Sequence, residues 1–136
     1  MNCARPAILI FATAFLVGCD PGCRNNVLEQ VQNLKGPQRL VVFVRDCGAT
    51  TGFSTQVSIL GPLETLSSGG NVFSADTDHG AVPRGPGGGP VISVRWTSVS
   101  SVEIAYVRGT RVFRAETTYG PIPIHISYVV QAPSGS

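Results

Sequence analysis

Leu40-Val41-Val42-Phe43-Val44 is a run of five apolar residues with no polar alternation. A strand wet on one face alternates, so a run of this kind suits a strand covered on both faces. Arg45-Asp46-Cys47-Gly48 then turns the chain, and the Thr/Gly/Ser-rich stretch to Thr55 reads as loop. Further short strands follow. Gln56–Leu60 alternates Val57 and Ile59 with polar neighbours, and Asn71–Ala75 is a brief third strand. Asp76–Pro90 is loop, punctuated by Pro83, Pro86, Pro90 and three successive glycines from Gly87. Strands resume at Val91–Trp96, Ser101–Arg108, Arg111–Thr117 and Ile124–Val130.

Upstream of the first strand the pattern changes. Val27, Leu28, Val31 and Leu34 recur at helical spacing. Asn26 stands where a cap would, Glu29 three positions later, and Gly36-Pro37 ends the segment. The spacing predicts one short amphipathic helix over 26–34. Around Gly109 the residues predict a hairpin between Ser101–Arg108 and Arg111–Thr117. With Arg108-Gly109 as the turn, Glu103 faces Arg114 and Ile104 faces Phe113; with Gly109-Thr110, like charges oppose each other. The first register, or a three-residue loop, is favoured. The expected fold is therefore mainly β: a small antiparallel sheet, as a meander or a sandwich-like form of it, with one short N-terminal α-helix.

The N-terminus carries a second pattern. Arg5 precedes an apolar and small-residue run from Pro6 to Val17. The run is shorter than the roughly 20 residues of a spanning helix, and has the length of a signal-peptide core. It ends in Leu16-Val17-Gly18-Cys19, which resembles the lipobox of bacterial lipoproteins. The resemblance implies removal of residues 1–18, acylation of Cys19 and anchorage to a lipid bilayer. The organisation implied is a signal peptide over 1–18, a lipidated tether over 19–25, one β-rich domain over 26–130 and a flexible tail over 131–136. Asp20 after Cys19 resembles the inner-membrane retention signal of enteric bacteria, which implies the periplasmic face of the inner membrane in the cell envelope.

Charge and cysteine usage narrow the partners. The formal net charge is +2 and falls to +1 once Arg5 is removed; Lys35 is the only lysine. No basic stripe remains, so nucleic acid lacks its electrostatic footprint. With Cys3 discarded and Cys19 acylated, Cys23 and Cys47 are the remaining pair. In an oxidising compartment they read as one disulfide. Two cysteines make a poor zinc site, which wants four ligands, and the pair lacks Cys-x-x-Cys spacing.

Candidate chemistry centres on Asp76-Thr77-Asp78-His79-Gly80. Two carboxylates and an imidazole could hold a small ligand, and the opening resembles a calcium loop. Gly80 and Gly87 stand where further calcium ligands belong, so the full pattern fails and no metal is assigned. The Gly85–Gly89 stretch lacks the Lys-Ser/Thr of a phosphate-binding P-loop. There is no Gly-x-Ser-x-Gly elbow, and His125 lies between Ile124 and Ile126 as a packed or surface histidine. No catalytic residue and no cofactor is assigned.

One longer resemblance remains. Arg45-Asp46-Cys47-Gly48-Ala49-Thr50-Thr51-Gly52-Phe53-Ser54-Thr55-Gln56-Val57-Ser58-Ile59, with Gly70-Asn71-Val72-Phe73 and Asp76–Gly80, resembles a family of small, uncharacterised bacterial proteins. It implies that these blocks belong to one domain. They would build a polar surface from the Ala49–Thr55 loop with Asp76, Asp78 and His79. The reading as a whole is a non-catalytic envelope lipoprotein with a structural or protein-interaction role and an envelope protein as its partner. A metal- or small-ligand-binding module built on Asp76, Asp78 and His79 is the alternative.

Overall fold

A computed structural model describes residues 22–48 and 51–135. Its strands, in chain order, are β1 (Arg24–Gln32), β2 (Arg39–Asp46), β3 (Phe53–Leu60), β4 (Phe73–Asp76), β5 (Ile92–Ser98), β6 (Ser101–Val107), β7 (Arg111–Ala115), β8 (Thr118–Tyr119) and β9 (Ile124–Gln131). They form two sheets. The larger has the order β1-β2-β3-β4-β7, antiparallel throughout, and the smaller β5-β6-β9-β8. Among the described residues no helix is long and apolar enough to cross a membrane.

The run Leu40–Val44 lies within β2, and all five residues are buried. Leu40 and Val42 point into the space between the sheets. There they join Val57, Ile59, Val72 and Phe73 from the larger sheet and Ile92, Val102, Ile104, Ile124 and Ile126 from the smaller one. Val41 and Phe43 point the other way, onto a second cluster with Leu60 and Leu66. The Gly61–Gly70 segment folds over this outer face. Arg39 donates to the carbonyls of Gly61 (2.6 Å) and Glu64 (2.7 Å), and Gln56 Oε1 accepts from Gly70 N (2.6 Å). A Cβ at Gly70 would stand 2.5 Å from the Phe73 carbonyl and 2.9 Å from that of Val57, so only glycine lets this segment lie so close. The two-sided cover demanded by the unalternated run is thus sheet on one face and loop on the other.

The segment expected to be a helix over 26–34 is β1, an edge strand paired in register with β2 from Arg24↔Asp46 to Gln32↔Arg39. The register slips between Val27 and Glu29, a β-bulge that inserts one residue. A bulge shifts the parity of apolar positions on either side of it, and a broken period of two can mimic helical spacing. Val31 packs on the core, Leu28 approaches the Pro86–Gly88 turn, and Leu34 is 97% exposed beyond the strand. β1 also starts at Arg24, inside the stretch read as tether.

The expected β6–β7 hairpin is replaced by a crossover. Arg108–Thr110 carries the chain from the smaller sheet to the larger one, and β7 pairs with β4. β6 instead lies between β5 and β9, antiparallel to the first and parallel to the second, so the sheet is mixed and not a meander. Glu103 meets Arg95 directly opposite on β5, with Nε–Oε1 at 2.9 Å and Nη2–Oε2 at 3.1 Å. Arg114 sits opposite Ser74. Glu103 thus pairs with an arginine of the preceding strand and not with Arg114, the partner that the hairpin predicts.

Cys23 and Cys47 form a disulfide, as the cysteine count predicts. It ties the residue before β1 to the residue after β2 and closes that end of the hairpin. Residues 1–21, with Cys19 and Asp20, and residues 49–50 and 136 lie outside the described residues.

Candidate functional site

One end of the larger sheet gathers the sequence motifs. The register runs Arg24↔Asp46↔Phe53, then Ser54↔Asp76↔Arg111, so these strand ends share an edge with the disulfide. The loop after β4 closes over this end. Thr55 Oγ1 donates to the Pro90 carbonyl (2.6 Å), and the Pro86–Gly88 turn lies against Val44 and Phe53. Gly88 is in the left-handed region (φ 98°), and a Cβ there would meet the Phe53 ring at 2.9 Å.

Asp76–Gly80 forms a tight left-handed bend, with φ of 49° at Asp78, 57° at His79 and 88° at Gly80. Such backbone is costly for residues with a Cβ, and is held only where the surroundings enforce it. Here Asp76 Oδ1 accepts from Asp78 N (2.8 Å), and Thr77 Oγ1 from Gly80 N (3.2 Å). Thr77 is itself buried, and its carbonyl accepts from Val82 N (3.2 Å). The aspartates and glycine therefore shape the turn, and the turn presents His79 outward.

Arg111, at the start of β7, takes up the carboxylates. Its Nε and Nη2 donate to Asp76 Oδ1 (3.0 Å) and Oδ2 (2.6 Å), a fork-to-fork pair, and Nη1 lies 3.4 Å from Asp78 Oδ1. The guanidinium also stands 5.1 Å over the Phe113 ring. Arg111 holds the Asp76 carboxyl below its ordinary value of 3.8, against the opposing effect of burial. A carboxyl depressed on folding adds stability that is complete above its unfolded value and is lost as pH falls through the folded one. Wild-type stability is thus expected to decline as pH drops below 3.8. Asp76→Asn should start lower at neutral pH and show a flatter acid limb in thermal unfolding followed by circular dichroism. Glu103, held low by Arg95 in the other sheet, leaves a residual slope. Parallel limbs in the two proteins would contradict this account of the pair.

A polar cleft of about 180 Å³ opens at this end, lined by Thr51, Gly52, Phe53, Asp76, Thr77, His79, Arg84, Gly88 and Arg111. The structure thus brings the Thr51–Phe53 part of the expected polar loop against Asp76 and His79. Asp78 is not part of the lining; it remains at the rim through its contact with Arg111. Arg84 and Arg111 escaped the sequence reading. Arg84 lies in the Asp76–Pro90 loop with no motif of its own, and Arg111 falls in the predicted hairpin, which does not form. Only the strand order could have placed Arg111 beside Asp76. Among the described residues no three His, Cys, Asp or Glu side chains converge as a metal-ligand set. His125 is exposed on β9, in the other sheet.

A larger, apolar hollow of about 330 Å³ lies among Val82, Pro83, Val91, Val107 and Pro133. It is bordered by Thr110, whose buried hydroxyl has no hydrogen-bond partner among the described residues. It contains no ionisable group, and the polar cleft has the richer set of convergent donors.

By fold the described residues form a two-sheet β-sandwich stapled by the Cys23–Cys47 disulfide. Compared with protein-family models, curated proteins and solved structures, the chain matches none.

Proposed function

We propose that this chain is a lipid-anchored protein of the bacterial cell envelope, whose β-sandwich has a non-catalytic structural or protein-interaction role. The observation that carries the reading is the Cys23–Cys47 disulfide. Disulfides persist in oxidising compartments such as the periplasm, which is where a chain carrying Leu16-Val17-Gly18-Cys19 would be delivered. Acylation of Cys19 anchors the domain to the bilayer at about 0.8 kcal/mol per buried CH₂, and more than one chain is needed for durable attachment. Asp20 favours the periplasmic face of the inner membrane. Strand addition is the mode of partner recognition that fits best. β1 is a nine-residue edge strand, largely exposed, with Val27 and Leu28 at its surface. Such edges pair with extended peptides.

Cys19→Ser tests the anchor. The wild-type protein is expected in the membrane pellet and the variant in the soluble fraction. Equal membrane retention of the two would overturn the reading.

A second reading, a ligand-binding module at the Asp76–His79 loop, is favoured by the cleft that this loop walls. Asp76 and Asp78 already face Arg111, so their carboxylates are poorly placed to take a cation.

A further inference from the structure

The two arginines of the cleft are held differently. Asp76 is the one carboxylate in the lining, and Arg111 engages both of its oxygens. Arg84 has no hydrogen-bonding or ion-pair partner among the described residues, and its guanidinium borders the same space. His79 lines the same cleft from its left-handed turn, whereas Thr51 and Gly88 donate within their own turns, Thr51 N and Oγ1 to the Gly48 carbonyl and Gly88 N to that of Gly85. With Asp76 and Asp78 both turned to Arg111, Arg84 is the guanidinium of the cleft with no carboxylate on it, and Arg84 and His79 are the donors that the described contacts leave unused. A guanidinium fork and an imidazole bordering one small polar space are donors suited to an oxyanion. At about 180 Å³ the cleft takes a phosphate group and the first atoms of its bearer, well short of the 300–1,000 Å³ of a drug-sized site.

We propose that this cleft is a binding site for a phosphate group, with Arg84 and His79 as its unspent donors and Arg111 as a guanidinium fixed in place by Asp76. Its position adds a second element. The cleft lies at the sheet end closed by Cys23–Cys47, and Cys23 is four residues from Cys19, a reach of at most about 14 Å. On an anchored chain the phosphate source is then either a lipid headgroup or a soluble phosphate compound. The site itself does not depend on the lipid anchor; only the headgroup source does.

The test is calorimetric titration of the natively processed protein, in non-ionic detergent, with inorganic phosphate at constant ionic strength. Saturable binding with a Kd of about 1 mM or tighter is expected, an affinity modest for a five-atom ligand. Arg84 is exposed and makes no contact that the fold needs, so Arg84→Gln should fold normally and weaken binding at least about tenfold. Lys35→Gln, in the β1–β2 turn, should bind as wild type. No saturable heat, or equal binding by both variants, overturns the proposal. Repeating the titration after reconstitution into phosphatidylglycerol–phosphatidylethanolamine vesicles identifies the source. Loss of phosphate binding there supports the site with a headgroup in it, and retained binding supports it with a soluble ligand. Soluble behaviour of the wild-type chain with phosphate binding intact would remove the anchor and leave the site standing.

Discussion

Replacing Phe73 by alanine is expected to cost about 3–5 kcal/mol of unfolding free energy, as for other buried phenylalanines. Domains of this size hold roughly 5–15 kcal/mol in all, so the variant would be marginal. The reason lies in what the ring joins. Phe73 is fully buried on β4, paired with Val57 of β3 and Ala115 of β7. Its ring lies 5.6 Å from that of Tyr106 and 5.9 Å from that of Tyr128, on β6 and β9 of the opposite sheet. Tyr128 in turn donates its hydroxyl to the Glu116 carbonyl (2.6 Å), and burial pushes that hydroxyl's pKa to about 12. Truncating Phe73 opens a cavity where the two sheets meet and loosens a tyrosine pair that spans the parallel β6–β9 ladder. Phe113→Ala is the control. Phe113 is 61% exposed on β7, and its loss, with that of its contact to Arg111, should stay within about 1 kcal/mol. Urea unfolding of both variants measures the difference. Equal destabilisation would contradict the assignment of Phe73 to the interface between the sheets.

Loss of the disulfide is the second large effect. Cys23 and Cys47 are separated by 24 positions, and closing a loop of that length is worth about 3.5 kcal/mol in the chain-entropy account. The location adds to the cost. β1 is an edge strand whose side chains are mostly exposed, so little core burial holds it once the staple is cut. Replacing both cysteines with serine, or adding reductant, should lower the urea midpoint. Hydrogen-exchange protection should fall first in β1 and in the β2 end at Asp46. A change under about 1 kcal/mol, with β1 still protected, would mean that the β1–β2 ladder is sufficient by itself.

These two sites also mark how far the residues alone lead. The pairing of Cys23 with Cys47 is legible because the lipobox reading, which discards Cys3 and acylates Cys19, leaves no other partner. The cover on both faces of Leu40–Val44 was legible because β-branched and aromatic residues without alternation have no other stable placement. β1 was not legible, because a bulge at Leu28 breaks the period of two on which strand recognition depends. The partners of β6 and β7 were not legible either. A glycine turn at Gly109 (φ 99°) serves a crossover between sheets as well as a hairpin, and only the long-range pairings Arg95↔Glu103 and Asp76↔Arg111 separate the two. The cleft shows the same division. The Ala49–Thr55 loop is reached through the resemblance to a family motif, and Asp76, Asp78 and His79 through residue types that cluster in one short segment. Arg111 reaches the site across 35 positions, through the order of strands.

The proposed anchor at Cys19 and the Cys23–Cys47 staple are tested most directly by one measurement. Intact mass is recorded on protein purified from native membranes, with and without reductant. The expected mass lacks residues 1–18 and includes a lipid-sized addition, and reduction raises it by two hydrogens. A full-length, unlipidated chain whose mass does not change on reduction would contradict both the anchor and the staple.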